Sequence, residues 1–554
     1  MEKTITKLKK LYKNDLFFSV SLNIIFLLAA VIIFRPFFEE NDDTHIAMIS
    51  EGVYGIRENH LIYINIILGT ICRFLISIMP TVRWHSVIQY VFIFIGATAV
   101  SYVLSKKQYG RLVSSVFTAG VFYELYVSLQ YTKTSAFAAS AGYILIFEYL
   151  RNTGKKNRKI LITGAILLLY SFLLRDSAFI LVSPFFALAA LFEIIKNRTL
   201  RRYIITFIPI FAVLAGCYAV NHIAYNSDTE WRDFLVHNEA RTQATDYRYD
   251  LFDYNNNGDA LRDAGVSEND AFLLLTYQFG DDRVMNAGMF NEVVTNGPAR
   301  KIDIELLKAF AKNMYDTFSV ISPIIILLIT FVLLFAASGR QNMIFPLCIL
   351  LGLGAGLFYF QYSGRWSHRL VYATLLAVAT VLSYELPDPE AEHGQWALGA
   401  LGVTGVLTAF IVCTSLAGNR FNYNEYMRHD PDFRAQLSLM EQNKDTLYII
   451  DTFTFQDRCK YDVFNSMEEG SLNNVVGAGM WFVNSPVTRT VCNRYGYTNP
   501  FEALEDTDSR VILVDNIYPD QKALFLSEHS GKAYSAEYIG TTNGFDNYRM
   551  TCAD

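Results

Sequence analysis

The chain has 554 residues, of which 52% are hydrophobic, 15% aromatic and only 18% charged, with a net charge of −6. Apolar excess gathered into long uncharged runs excludes an ordinary soluble globule, and the lack of any polybasic tract argues against a nucleic-acid partner. Seven cysteines stand singly, none at zinc or redox spacing; Cys459, Cys492 and Cys552 leave room for one disulfide in the polar C-terminal part.

At the N-terminus, Lys3, Lys7, Lys9, Lys10 and Lys13 precede the apolar run Leu16–Phe34. The run is long for a signal peptide, and Arg35-Pro36-Phe37-Phe38-Glu39 is no small-residue cleavage site, so it reads as a retained first helix. Further apolar runs fall near 87–104, 112–130, 135–150, 160–174, 178–195, 203–222, 317–337, 343–360, 370–384 and 396–416. About eleven transmembrane helices are expected, each close to the roughly 20 residues a bilayer requires. The run 61–79 is different: Arg73 costs about 2.5–3.5 kcal/mol at a helix centre and Pro80 ends the run. It is expected to be interfacial or re-entrant.

With the N-terminus inside, the cytoplasmic segments hold eighteen Lys and Arg and the outward short segments eight, over a greater length. That asymmetry follows the positive-inside rule, although the acidic segment 385–395 gives it no support. The expected fold is therefore an α-helical polytopic protein of the plasma membrane whose N-terminus is cytoplasmic and whose C-terminus is extracytoplasmic.

Residues 1–416 form the expected transmembrane domain, with an outward first loop at 37–86 and an outward helical subdomain at 223–316. In that subdomain Ser267 and Asp270 have capping-box spacing, and a second helix is expected through 301–315. Residues 417–554 read as an extracytoplasmic α/β domain. It opens on an amphipathic stretch at 423–442, with strands at Thr446–Phe453, Arg510–Asp515, Tyr534–Ile539 and Phe545–Thr551, a helix at Pro500–Leu504, and turns at Glu469-Gly470 and Asn543-Gly544.

Directly after the first helix, Glu39, Glu40, Asp42 and Asp43 place four carboxylates within five residues. The plainer reading is a solvated helix start at Thr44 capped by Asn41, Asp42 or Asp43. The sharper reading is a base for a nucleophile, with cations nearby for a leaving phosphate. Arg365, His368 and Arg369, in an outward loop, can supply those cations, or can anchor the interface beside Trp366. Arg175-Asp176 at bilayer depth is either functional or a structural ion pair. Asp253–Asp259 opens like a calcium loop, but Ala264 stands where a bidentate Glu is needed, so a turn is expected. Phosphate-loop, zinc-protease and serine-hydrolase motifs are absent. Tyr495, Tyr497, Phe501, Trp481 and Phe482 can face a sugar or fill the core of the outer domain.

The acidic pair after the first helix resembles the signature of the GT-C membrane glycosyltransferases. So does the segment that follows it, with Gly52, Gly55 and Asn59-His60 before an interfacial helix. Residue by residue, Asp42 matches the leading acidic position, Asp43 the second, and His45 a position where related members carry Arg. The residue-level match covers about 36–86, and the second acidic position lacks the Glu found in some members. The resemblance implies transfer of a sugar from a polyprenyl-phosphate donor to a glycan or protein acceptor on the outer face. Asp42 and Asp43 would be catalytic, and Arg365, His368, Arg369, Arg175, His45 and His60 would bind the substrate or its phosphate. No cofactor or metal is indicated. The rival readings are a lipid-linked saccharide flippase or transporter, for which mid-helix Glu124 and Glu148 are the candidate charges, and a non-catalytic membrane scaffold.

Overall fold

A computed structural model describes residues 14–107, 109–152, 157–387, 394–456, 462–507 and 510–553. The lysines of 1–13, much of the acidic segment 385–395, and Cys459 lie outside the described residues, while Cys492 and Cys552 form no disulfide among the described residues.

Each of the eleven expected runs is helical over most of its length, the one near 112–130 ending in a π turn and a short strand. In chain order, α1 (Asp15–Ala29) leads through a π turn to the short strand β1 (Phe37–Phe38), and α2 (Asn41–Glu51) and α3 (Ile66–Ile78) follow. Next come α4 (Trp84–Ser105) and α5 (Gly110–Phe122), a second π turn into β2 (Ser128–Leu129), then α6 (Tyr131–Arg151), α7 (Arg158–Leu174), α8 (Asp176–Asn197) and α9 (Leu200–Ser227). The inserted region holds α10 (Thr229–Arg241), α11 (Tyr254–Asp263), α12 (Glu268–Leu275), α13 (Ala287–Asn296) and α14 (Ile304–Val320). Then α15 (Ser322–Ala337), α16 (Ile344–Ser363), α17 (His368–Glu385) and α18 (Gly394–Gln442) complete the bundle.

Among the described residues, six helices are long and apolar enough to cross a membrane, or seven if α14 and α15, bent by 97°, count as one span. Helices α5, α6, α7 and α17 are shorter or carry charge in their terminal turns. The helices alternate between two ends. At one end Lys106–Glu148 (2.9 Å), Arg151–Glu385 (2.6 Å) and Arg111–Asp15 (3.1 Å) tie neighbouring helices together. At the other, β1 and β2 pair in parallel, Phe37 opposite Ser128.

Helix α3 is too short to cross a bilayer as one straight span. Thirteen residues rise about 20 Å, short of a hydrocarbon core of about 30 Å. Both of its ends are also fixed at the second end of the bundle. The Asn65 N–H donates to the Leu173 carbonyl (2.9 Å), and just beyond α3 the Ser466 N–H donates to the Thr81 carbonyl (3.3 Å).

The outer domain is a mixed sheet of β3 (Leu447–Ile450), β4 (Val475–Gly477), β5 (Val511–Val514), β6 (Ala533–Thr542) and β7 (Phe545–Ala553), ordered β4-β3-β5-β7-β6. The first three are parallel; β6 and β7 form a hairpin at Asn543-Gly544, where both residues have left-handed φ (54° and 80°). Helices α19 (Thr452–Gln456), α20 (Pro486–Asn493), α21 (Pro500–Glu505) and α22 (Pro519–Ser530) complete it. Strand β4 and helices α19, α20 and α22 are additions to the expected elements, α19 replacing the end of the strand expected at Thr446–Phe453; three residues of strand between polar turns leave no periodicity to read.

Three expectations change. Helix α18 runs unbroken from 394 to 442, so the α/β fold begins after the expected boundary at 417. The segment that opens like a calcium loop is the start of α11: Asp253 caps it, accepting from the Asn255 N–H (3.1 Å), and the Asp259 side chain is 96% exposed. In place of a separate inserted subdomain, Leu251, Phe279 and Phe290 share one core with Leu447, Ile449 and Phe501. The two hydrophilic regions are thus one body, which places them on the same side of the membrane.

Candidate active site

Helix α2 starts earlier than expected. Glu40 is its N-cap residue, with extended backbone and no side-chain cap, so Asp42 and Asp43 lie within the first turn. The capping role expected of Asn41, Asp42 or Asp43 is therefore overturned. Carboxylates in a first turn interact favourably with the helix dipole, and successive residues point about 100° apart.

Asp43 points inward and is fully buried. It accepts from His85 Nε2 (2.8 Å), Gln89 Nε2 (2.9 Å) and the Tyr131 N–H (3.2 Å), which locks the start of α2 onto α4 and α6. Burial raises its pKa against the pull of His85. Asp42 faces the other way, into a cavity of about 250 Å³, and pairs with Arg369 Nη1 at 2.6 Å. Arg369 also meets Glu40. Burial, opposed by Arg369 and reinforced by Asp42, Glu39 and Asp43, raises the Glu40 carboxyl to about 7.

A second polar cluster backs this wall. The two π turns end α1 and α5 side by side, and π turns recur at functional sites. They bring Glu39 and Glu124 to the fully buried Lys133, which pairs with both. His368 Nδ1 meets Glu39 at 2.9 Å. Glu39, which burial would raise, is held at about 2 by Lys133 and His368. Ligand atoms of Glu39, Glu124 and His368 lie within 4.8 Å of one another, but the Lys133 ammonium already bridges the two carboxylates where a cation would bind.

Four guanidinium groups surround the Asp42 cavity. Arg365 and Arg241 both pair with Asp246 (2.9 and 3.1 Å), and Arg369 holds Asp42 and Glu40. Arg175, at the break between α7 and α8, has no carboxylate partner among the described residues. Its Nε bonds Ser177 Oγ (3.2 Å), its buried Nη1 has no hydrogen-bond partner among the described residues, and its plane lies over Tyr131 and Tyr63 (4.6 and 5.3 Å). The adjacent Asp176 forms no ion pair with it. Arg175 and Tyr63 also line a second cavity of about 140 Å³ that reaches Phe172 and Tyr218 at the bundle surface.

The structure thus brings Asp42, Arg175, Arg365 and Arg369 together, and leaves His45, His60 and His368 out of the cavity wall. Burial lowers His45 to about 4, so its ring is neutral; Nδ1 meets the Tyr54 hydroxyl (3.1 Å) and the ring packs on Phe482. His60 pairs with Glu58 (2.8 Å) and stacks on Trp231. Of the five outer-domain aromatics, Trp481 lines the cavity, whereas Phe482 and Phe501 are buried in cores. Arg241, Asp246, Tyr63, Tyr277 and Met480 also line it. No spacing marks them in the sequence; only Asp246, five residues after a helix-end Arg241, hints at a pair.

The chain is similar over 96% of its length to two crystal structures of ArnT from Cupriavidus metallidurans. One is bound to undecaprenyl phosphate (10% identity, 97% of that chain, TM-score 0.41) and one is in the apo state (8% identity, 96% of that chain, TM-score 0.41). No family model matches the chain, and no curated protein matches it.

Proposed function

We propose that this chain is a membrane glycosyltransferase of the GT-C type, moving a sugar from a polyprenyl-phosphate donor to a glycan or protein acceptor on the extracytoplasmic face. The observation that carries the reading is one cavity, lined by both the helical bundle and the outer domain, holding the Asp42 carboxylate together with Arg175, a guanidinium without a carboxylate partner among the described residues. Arg175 is half-buried, but its buried Nη1 donor left unmet is costly, and a phosphate oxyanion would supply the partner it lacks. In this reading the lipid-linked donor approaches Arg175 from the side of the second cavity, where Tyr218 is exposed.

In this mechanism Asp42 accepts the proton of the acceptor hydroxyl as that oxygen bonds to the anomeric carbon. The bond from that carbon to the phosphate oxygen breaks, and its electron pair leaves on the phosphate, held by Arg175. Arg369 orients Asp42; Arg365, committed to Asp246, shapes the wall; Asp43 positions the first turn. This departs from the expectation that Arg365, His368 and Arg369 bind the phosphate, because each already has an acidic partner.

The transporter reading needs charges deep in the bundle. Glu124 and Glu148 lie near helix ends, paired with Lys133 (2.7 Å) and Lys106 (2.9 Å).

The test separates binding from chemistry. Purified wild-type protein should retain a polyprenyl phosphate detectable by mass spectrometry, and Arg175→Ala should lose it. Asp42→Asn should keep the lipid, fold normally and lose about 10²–10⁴-fold in glycan transfer. Full transfer by Asp42→Asn would remove the enzyme reading.

A further inference from the structure

The roof of the Asp42 cavity is built from three segments far apart in the chain: Tyr277 after α12, Thr452-Phe453 after β3, and Met480-Trp481 after β4. They converge on one carbonyl. The oxygen of Tyr277 accepts from Thr452 Oγ1 (3.2 Å) and from the Met480 N–H (3.3 Å), while the Gly280 N–H donates to Ala478 (3.0 Å).

The junction is strained. Tyr277 and Met480 both hold left-handed backbone, with φ of 57° and 77°. Between Ala478 and Met480 only glycine fits, since a Cβ on Gly479 would lie 1.6 Å from the Tyr277 oxygen. Non-glycine residues in this region are uncommon, and such strain clusters at ligand sites where surrounding packing enforces it. Here the enforced geometry turns the side chains of Tyr277, Met480 and Trp481 onto the cavity wall.

The wall has a definite chemistry. Trp481 and Tyr63 lie side by side, ring centroids 5.0 Å apart, and Tyr277 is 41% exposed. The Trp481 indole N–H is buried and has no acceptor among the described residues. Phe482, next in the chain, turns away to pack on His45 and Tyr54, so the cavity takes the one ring of the pair that carries a polar edge. Aromatic faces bearing hydrogen-bond groups at their rims match a pyranose, whose C–H faces pack on π surfaces while its hydroxyls bond at the edges.

We propose that Trp481, Tyr63 and Tyr277 form a carbohydrate subsite that selects the sugar presented to Asp42. The proposal rests on the glycosyl-transfer reading for its role, and on the roof geometry for its existence. The ring bound there belongs either to the donor glycosyl unit or to an acceptor glycan, and the test distinguishes them.

The full chain in lipid nanodiscs is examined by saturation-transfer NMR against two panels: methyl glycosides of hexoses and N-acetylhexosamines, and short-chain polyprenyl-phosphate monosaccharides. The wild type should saturate the ring protons of at least one sugar. Trp481→Leu and Tyr277→Leu, each confirmed folded by its unfolding midpoint, should weaken that signal at least about fivefold, while Trp481→Phe, which keeps a ring face, should weaken it less. Signal from free glycosides assigns the subsite to the acceptor; signal from the lipid-linked panel alone assigns it to the donor. Silence from both panels with the wild type, or an unchanged signal in both Leu variants, overturns the subsite. Sugar binding lost in the Leu variants but accompanied by undiminished transfer in Asp42→Asn would overturn the transfer reading and leave the subsite standing.

Discussion

Asp42 and Asp43 are neighbours in the chain with opposite surroundings, and the rotation of a single helical residue makes the difference. One carboxylate meets an arginine at a cavity; the other is sealed among His85, Gln89 and a backbone N–H. Their importance is legible in the sequence as an acidic cluster after a span, but their division of labour is not, because it depends on which side α4 and α6 occupy. Glu40 adds a pH dependence. With its pKa raised to about 7, it is largely neutral below that pH and ionised above it. Ionisation adds a negative charge to a cavity that is to receive a phosphate. The apparent KM for an anionic donor should therefore rise about tenfold between pH 6 and pH 8. Glu40→Gln mimics the protonated form and should hold the low KM across that range. A wild-type KM that is flat with pH would separate Glu40 from donor binding.

At the scale of elements, α2 is clamped between bundle and outer domain. Arg83, at the start of α4, forks onto Glu51 with Nε–Oε1 at 2.8 Å and Nη2–Oε2 at 3.0 Å, both side chains 1% exposed. Arg83 Nη1 also donates to the Asp462 carbonyl (2.6 Å), and the Met467 N–H donates to Glu51 (3.1 Å). Just beyond α2, Gly52 and Val53 accept backbone bonds from Gly470 and Leu472. Arg83→Leu leaves a buried carboxylate unpaired and should cost about 3–5 kcal/mol, whereas Arg83→Leu with Glu51→Leu should recover much of that loss. Thermal or denaturant unfolding of the purified protein measures both, and equal loss in the single and double variants would refute the pairing argument. The sequence shows Arg83 only as a basic residue after Pro80; its partner lies 32 positions earlier, where no local pattern joins them.

At the scale of the whole molecule, one shared core joins the inserted region to the outer domain, so one side of the membrane must carry both. Combined with the charge bias of the short loops, that side should be extracytoplasmic. In a cysteine-free background, single cysteines at Asn256 and Ser530, both exposed, should react with an impermeant maleimide in intact cells. A cysteine at Asn157, the cap of α7 at the opposite end, should not. Labelling at Asn157 with protection at Ser530 would invert the topology.

The sequence by itself determined the helical runs, the side on which charge accumulates, and the α/β character of the C-terminal region. Apolar length, loop charge and strand alternation are local signals, readable within a window of ten to twenty residues. It also singled out Asp42, Arg175, Arg365 and Arg369, since charge at a membrane face stands out against apolar neighbours. Tertiary structure alone decided which of these charges already have partners. Asp246 neutralises Arg365 from 119 positions away, Glu39 takes His368 from 329 away, and Arg175 is left facing the cavity without a carboxylate partner among the described residues. It also decided the roof over Asp42, where Tyr277, Thr452 and Met480 meet at one carbonyl. Ion pairing and backbone strain depend on distances between remote segments, and those distances exist only once the bundle and the outer domain have packed.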